Sequence, residues 1–295
     1  MQPVSLTELP EPQRRDAWRR LRAAWTVLDV RSARAKPFRC PLCGPSVLLR
    51  LADDELAVRC LKCGATPIAM SVASVLQARF PALATATVYE LSARGPLHRF
   101  LRRRSKSLVC SQYVEGASPG SEVAGVRVED VQRLTFASCS FDVCSSTEVF
   151  EHVPDDRQAF REALRVLKPG GMLVFSVPID LDANTFERAR LVDGEVVHLA
   201  PPEHHRDPGS MHAPVLAYRN YGIDIVARLN EAGFSEAEIA LPSEAPWFGC
   251  RRPVIVALKQ LENAHPAPLD RISTVIVNSA PASTASRPSY RDERS

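Results

Sequence analysis

The sequence predicts an α/β fold: an open, mostly parallel sheet preceded by a small metal-binding module. Two observations carry that reading. Residues 141–178, FDVCSSTEVFEHVPDDRQAFREALRVLKPGGMLVFSVP, spell a strand, a helix, a tight turn and a second strand in one pass. Cys40, Cys43, Cys60 and Cys63 stand as two CxxC pairs, each followed by glycine. A chain of 295 residues with 45% hydrophobic content is long enough for one large domain plus a small one. No apolar run approaches the ~20 residues that span a bilayer, and MQPVSLTELPEPQRRDAWRR lacks a leader-like stretch, so no membrane role and a cytoplasmic location are expected. The net charge of +3 does not by itself call for nucleic acid.

From the N-terminus, residues 1–36 form a helical segment in which Trp18, Leu21, Trp25 and Leu28 recur at helical spacing over 13–29. Residues 37–66 follow as a ribbon-like zinc finger. Four thiolates in two knuckles surround one tetrahedral Zn²⁺, and the glycines close the turns. SVLLRLADDELAVRC between them reads as two short strands joined at Asp53-Asp54. A redox CxxC is the competing reading, but such a motif stands once, at a helix start. The remaining cysteines fit a reducing compartment. Residues 67–86 make a linker with a helix at 68–79, and 87–262 form the α/β domain.

That domain opens on a strand at Thr87–Leu91, with Glu90 near its end, then Ser92-Ala93-Arg94-Gly95 and a helix to about Arg103. Leu108–Ser111 is the second strand, and Gly125–Val128 the third, after the Pro119-Gly120 turn. Phe141–Ser146 is a buried parallel strand whose carboxyl end faces a ligand. Asp155 and Asp156 cap a helix at 157–167, whose Phe160, Leu164 and Leu167 face the sheet. Lys168-Pro169-Gly170-Gly171 stops it, and Met172–Val177 follows as a strand. Residues 179–221 read as a long irregular loop holding His198, His204, His205 and His212, whose spacing gives no ligand signature. A helix at Ile223–Ala232, capped by Gly233, precedes an antiparallel pair, Glu236–Leu241 and Pro253–Leu258. The Pro-, Ser- and Arg-rich tail, 263–295, reads as largely disordered.

The pattern FDV…EVFEHVPD…RVLKPGGMLVFSVP resembles the fourth-to-fifth-strand segment of class I S-adenosylmethionine-dependent methyltransferases of the type 11 kind. That resemblance implies a Rossmann-like, mostly parallel seven-stranded sheet with an antiparallel last strand, and S-adenosyl-L-methionine as cofactor. In the family the first strand ends in an acid and runs into a GxGxG-type loop, which places Glu90, Ser92, Arg94 and Gly95 at the cofactor. Here Ser92, Arg94 and Pro96 fall where glycines are expected and only Gly95 remains. Arg94 can offer its guanidinium to the cofactor carboxylate. Gln112 replaces the acid that holds the ribose hydroxyls, so weaker binding is expected unless Glu115 reaches in. Tyr113 lines the adenosine pocket or packs in the core. Glu129, Asp130 and Val131 match the stretch that meets adenine, and Ser146 and Thr147 lie below the methionine part. His152 is the candidate that touches substrate or accepts a proton, with a structural hydrogen bond as the alternative.

The function implied is methyl transfer to a small-molecule or glycan-type acceptor. Two alternatives stay open: a binding or regulatory protein that kept the fold without turnover, and an RNA methyltransferase whose zinc module contacts RNA. Nucleic acid is the less favoured partner, because no concentrated basic stripe is evident in the sequence. The acceptor and the oligomeric state are not encoded in any recognisable motif.

Overall fold

The computed structural model describes residues 29, 31–54, 57–205, 214–242, 248 and 252–261. The helix expected at 13–29, apart from Asp29, His212 and the tail from 263 lie outside these residues.

The first unit is a three-stranded antiparallel ribbon, β1 (Arg34–Cys40), β2 (Gly44–Arg50) and β3 (Val58–Cys60). Strands β2 and β3 were expected. Strand β1 was not, since Arg34, Lys36 and Pro37 interrupt any alternation. The ribbon buries Leu48 and Val58 against helix α1 (Pro67–Arg79), which is capped by Thr66 accepting from the Ala69 amide. Helix α1 buries most of its first turns and packs on the sheet as well as on the ribbon.

The α/β unit runs through β4 (Thr87–Glu90), helix α2 (Gly95–Arg104), β5 (Ser107–Cys110), the hairpin strands β6 (Glu122–Val123) and β7 (Val126–Arg127), β8 (Phe141–Thr147), helix α3 (Asp156–Val166) and β9 (Leu167–Ser176). The Asp155 side chain caps α3 by accepting from the Gln158 amide. Seven short strands follow: β10 (Ile179–Asp180), β11 (Phe186–Glu187), β12 (Ala189–Val192), β13 (Glu195–His198), β14 (Glu203–His205), β15 (Val215–Ala217) and β16 (Arg219–Gly222). Helix α4 (Ile225–Glu231), β17 (Glu236–Ala240) and β18 (Val254–Leu258) complete the described elements.

Six strands share one sheet in the order β17-β18-β9-β8-β4-β5. The pairs β9–β8, β8–β4 and β4–β5 are parallel, and β18 runs antiparallel to both its neighbours. This is the expected mostly parallel sheet with an antiparallel end. The third expected strand contributes only a bridge between Gln112 and Val128, because 122–127 folds back on itself as a hairpin.

Alternate residues divide the core between two faces, as the two-residue period of a strand requires. Val88, Val143, Met172, Val174, Val254 and Val256 meet α1 and α2 on one face, while Tyr89, Cys144, Leu173, Phe175, Ile255 and Ala257 meet α3 and α4 on the other. The chain leaves β4 toward β5 and returns to the other side of β4 at β8. In open α/β sheets, ligands bind outside the carboxyl ends of strands at such a switch point.

Residues 179–221 are not an irregular loop. Strands β12 and β13 form a hairpin about Asp193-Gly194, both at positive φ, and β14 pairs with β15. The Asp-Gly pair between Leu191-Val192 and Glu195-Val196 is a hairpin signal legible in the sequence. The strands escaped notice because they are two to four residues long and largely exposed.

Candidate functional site

Two sites emerge, one in the ribbon and one at the carboxyl ends of β4, β8 and β9. In the ribbon, the four sulfurs of Cys40, Cys43, Cys60 and Cys63 lie within 4.8 Å of one another. Cys40 and Cys63 are 3.7 Å apart and Cys43 and Cys60 3.6 Å, with all four thiols free. Sulfurs each about 2.3 Å from a tetrahedral Zn²⁺ stand roughly that far apart. The donor set therefore fits zinc. Gly44 and Gly64 hold φ of 79° and 72° just after their knuckles, where a β-carbon would be strained.

Beside the knuckles, Arg39, Lys62, Arg99, Arg103 and Arg104 line a cleft of about 870 Å³ whose lining includes no acid. Arg99 also donates to the Cys63 carbonyl at 2.8 Å, tying α2 to the ribbon. The sequence hid this basic surface because its cations come from three separate segments.

At the sheet's carboxyl edge, Glu90 is 1% exposed and accepts from the Ser145 hydroxyl. Burial pushes its carboxyl up to about 8, against the pull of that hydrogen bond. Gly95 opens α2 at φ 98°, after Arg94 at φ −150°. Ser92 donates its hydroxyl to the Arg94 carbonyl at 3.2 Å, bending the loop over the helix start. Gln112 is held by its backbone to Arg127 and Glu129. Tyr113 is 69% exposed, which removes the core-packing alternative.

The two acids at 129–130 have different surroundings. Glu129 is buried, paired with Arg127 Nε at 2.6 Å and accepting from the Thr135 amide and hydroxyl at 2.9 and 2.6 Å. Its carboxylate is thereby committed to the loop, so the sequence expectation that it meets adenine does not match its surroundings. Among the described residues the Asp130 carboxylate accepts from Gln132 alone and remains half-buried, with Val131 beside it.

Beyond β8 and β9, several buried polar atoms have no hydrogen-bond partner among the described residues: the hydroxyls of Ser146 and Ser176, one oxygen of Glu148 and both of Glu151. Buried polar groups are nearly always satisfied, so such a concentration marks a place built for a ligand. Thr147 is half-buried next to them. Glu148 takes φ 52°, a conformation that costs a non-glycine residue energy. Burial and the neighbouring Glu151 charge push its carboxyl up to about 7, against the pull of the Arg252 guanidinium.

His152 is half-buried, its Nδ1 2.8 Å from the Leu216 carbonyl. His205 reaches the same spot from β14, with Nε2 2.9 Å from Glu203. Glu151 and Glu203 hold its imidazolium up to about 9 in spite of burial. His198 and His204 lie elsewhere on these hairpins and outside the His152–Glu151–His205 group. Arg219, which the sequence reading did not single out, is 3% exposed and fixes the 150–154 turn by donating to the carbonyls of Phe150, Val153 and Pro154. Among the described residues, no helix is long and apolar enough to cross a membrane.

Residues 95–175 match the family described as "Methyltransferase domain". An "Uncharacterized methyltransferase" of Mycobacterium sp. (strain KMS) is 45% identical over 65 residues, which cover 21% of this chain and 25% of that protein. The 2-methyl-6-phytyl-1,4-hydroquinone methyltransferase of Synechocystis sp. is 44% identical over 57 residues, covering 19% of this chain and 18% of that one. The chain thus spans about a quarter or less of the length of these curated relatives. Among solved structures, the 1,6-didemethyltoxoflavin-N1-methyltransferase of Burkholderia thailandensis, with bound 1,6-didemethyltoxoflavin and S-adenosylhomocysteine, is 19% identical at a TM-score of 0.41, covering 64% of this chain and 76% of that one.

Proposed function

We propose that this chain, whose residues 95–175 are those of a methyltransferase domain, is an S-adenosyl-L-methionine-dependent methyltransferase acting on a small-molecule or glycan-type acceptor. The observation that carries the reading is the group of buried, unpartnered polar atoms of Ser146, Glu148 and Ser176 beside the switch point between β4 and β8. Glu90, Ser92, Arg94 and the backbone at Gly95 frame the methionine part of the cofactor. Gln112 takes a ribose hydroxyl through its one amide oxygen, and Tyr113 covers the adenosine. Asp130, rather than the committed Glu129, accepts from the adenine amino group, with the Val131 backbone against the ring. Ser146 and Thr147 line the side from which the methyl departs.

In the reaction the acceptor atom attacks the methyl carbon as the carbon–sulfur bond breaks, and that bond's electron pair returns to sulfur. The leaving thioether is already activated, so the chain's task is alignment and exclusion of water. The β14–β15 pair and Tyr218, which meet Glu151 and His152 through His205, Leu216 and the Tyr218 amide, supply that cover. Zinc held by Cys40, Cys43, Cys60 and Cys63 is structural in this reading: it closes a ribbon too small to fold on its own core. Free thiols at Cys110, Cys139 and Cys144 accord with a reducing, cytoplasmic compartment. The small-molecule acceptor draws support from the hydroquinone methyltransferase named above.

Incubating the full chain with methyl-labelled cofactor and a cell extract, then separating products by mass, tests the acceptor. Label in low-mass or glycan fractions supports the proposal. Label in RNA alone would overturn the acceptor class and turn attention to the basic cleft beside the ribbon, and no labelled product would leave the binding-protein alternative.

A further inference from the structure

We propose that Glu151, His152 and His205 bind one divalent transition-metal cation at the carboxyl end of β8, separate from the cysteine site. The ligand atoms of the first three lie within 4.8 Å of one another. His152 Nε2 and His205 Nδ1 stand 3.7 and 3.8 Å from the same Glu151 oxygen, Oε1. These distances are too long for hydrogen bonds, yet they approach the separation of two ligands each about 2.1 Å from a common ion.

The other ring nitrogen of each histidine is already engaged. His152 Nδ1 donates to the Leu216 carbonyl, and His205 Nε2 donates to Glu203, which Arg188 and Asn220 hold at 3.3 Å. Outward-facing acceptors of this kind fix the tautomer and aim the remaining lone pair at a metal. Glu151 is 1% exposed, and neither of its oxygens has a hydrogen-bond partner among the described residues. A buried carboxylate between two imidazoles held in this way is a ligand set. Mixed imidazole and carboxylate donors suit Mn²⁺, Co²⁺ or Zn²⁺ and lack the thiolates that select zinc in the ribbon.

Three protein ligands leave coordination positions open. A role there, holding an acceptor hydroxyl oxygen in line with the methyl group, rests on the methyl-transfer reading. The hydroxyl proton passes to water, the oxygen–carbon bond forms, and the carbon–sulfur electron pair stays on sulfur. The cation site itself stands on geometry.

The full chain, zinc-loaded at its cysteines and without cofactor, is titrated with Mn²⁺ while the paramagnetic resonance of the free ion is followed. One Mn²⁺ bound per chain is expected. His205→Ala and Glu151→Gln each abolish that binding, and Glu203→Gln, which only orients His205, weakens it by about tenfold or more, all with unchanged circular dichroism. If the wild-type chain leaves both Mn²⁺ and, in a parallel titration, Co²⁺ free, or if His205→Ala binds as tightly as wild type, the site does not exist. S-adenosylhomocysteine titrated into the same sample separates the two proposals: cofactor binding with no cation overturns the site alone, and cation binding with no cofactor overturns the methyl-transfer reading alone.

Discussion

Replacing Arg219 with methionine removes the clamp that holds the 150–154 turn, and with it Glu151 and His152, against β16. The guanidinium donates to the Phe150, Val153 and Pro154 carbonyls at 3.1, 2.6 and 2.7 Å and to Glu187 at 3.1 Å. Asp156, 3.7 Å away, also accepts from Tyr221 at 3.0 Å. Deleting one partner of a buried, hydrogen-bonded ion pair costs about 3–5 kcal/mol, because the remaining charge and carbonyls stay desolvated. Arg228 still pairs with Asp156 at 2.9 Å and Glu187 at 2.6 Å, which pulls the expected loss to the lower end, about 3 kcal/mol. Methionine fills most of the volume, so little cavity cost is added. For a domain of this size, a melting point lower by about 6–12 °C follows. Arg219→Lys keeps the charge but cannot reach three carbonyls at once, and it is expected to lose about half as much. Urea and thermal unfolding of the three proteins decide it. A loss below ~1 kcal/mol for the methionine variant would refute the reasoning, placing Arg219 among exposed-type pairs that contribute little.

Other expectations follow from the same geometry. Elemental analysis of chain purified without chelator should find one zinc per molecule more in the wild type than in Cys60→Ser, with collapse of the ribbon's signals under chelation; apparent zinc binding is on the order of 10 kcal/mol of folding free energy. Glu90 has a folded-state value of about 8 against 4.5 for the free side chain, so the native state holds a proton that the unfolded state has lost between those limits. Its contribution is therefore present below about pH 4.5 and fades as pH rises toward 8. Glu90→Gln should gain stability relative to wild type across that window, and parallel pH–stability curves would contradict it. Asp130→Asn should weaken cofactor binding about tenfold with little change in stability, whereas Glu129→Gln should cost about 1–3 kcal/mol of stability because three donors lose their charged acceptor. Calorimetry paired with denaturant melts separates the two.

The parts legible in the sequence were those set by local chemistry. Cys40 through Cys63 could be read from spacing, and β8, α3 and most of β9 from one run in which apolar period and Asp155 cap agree, although β9 begins at Leu167 and takes up 168–171, which were expected as a turn. What escaped depends on residues distant along the chain. His205 meets Glu151 only because β14 folds back over the 150–152 turn, and no spacing rule connects positions so far apart. Glu129 and Asp130 look interchangeable as neighbours until Arg127 and Thr135 engage the first. The basic cleft escaped for the same reason: Arg39, Lys62 and Arg103 belong to different elements, and only packing of the ribbon on α2 gathers them.

The most direct measurement of the central claim is calorimetric titration of the full chain with S-adenosylhomocysteine. Saturable one-to-one binding, diminished in Asp130→Asn and in Gly95→Val, where φ of 98° excludes a branched side chain, is the predicted result. Absence of any heat at about 1 mM ligand, an affinity weaker than about 4 kcal/mol of binding free energy, would contradict a cofactor cradle at the ends of β4 and β8.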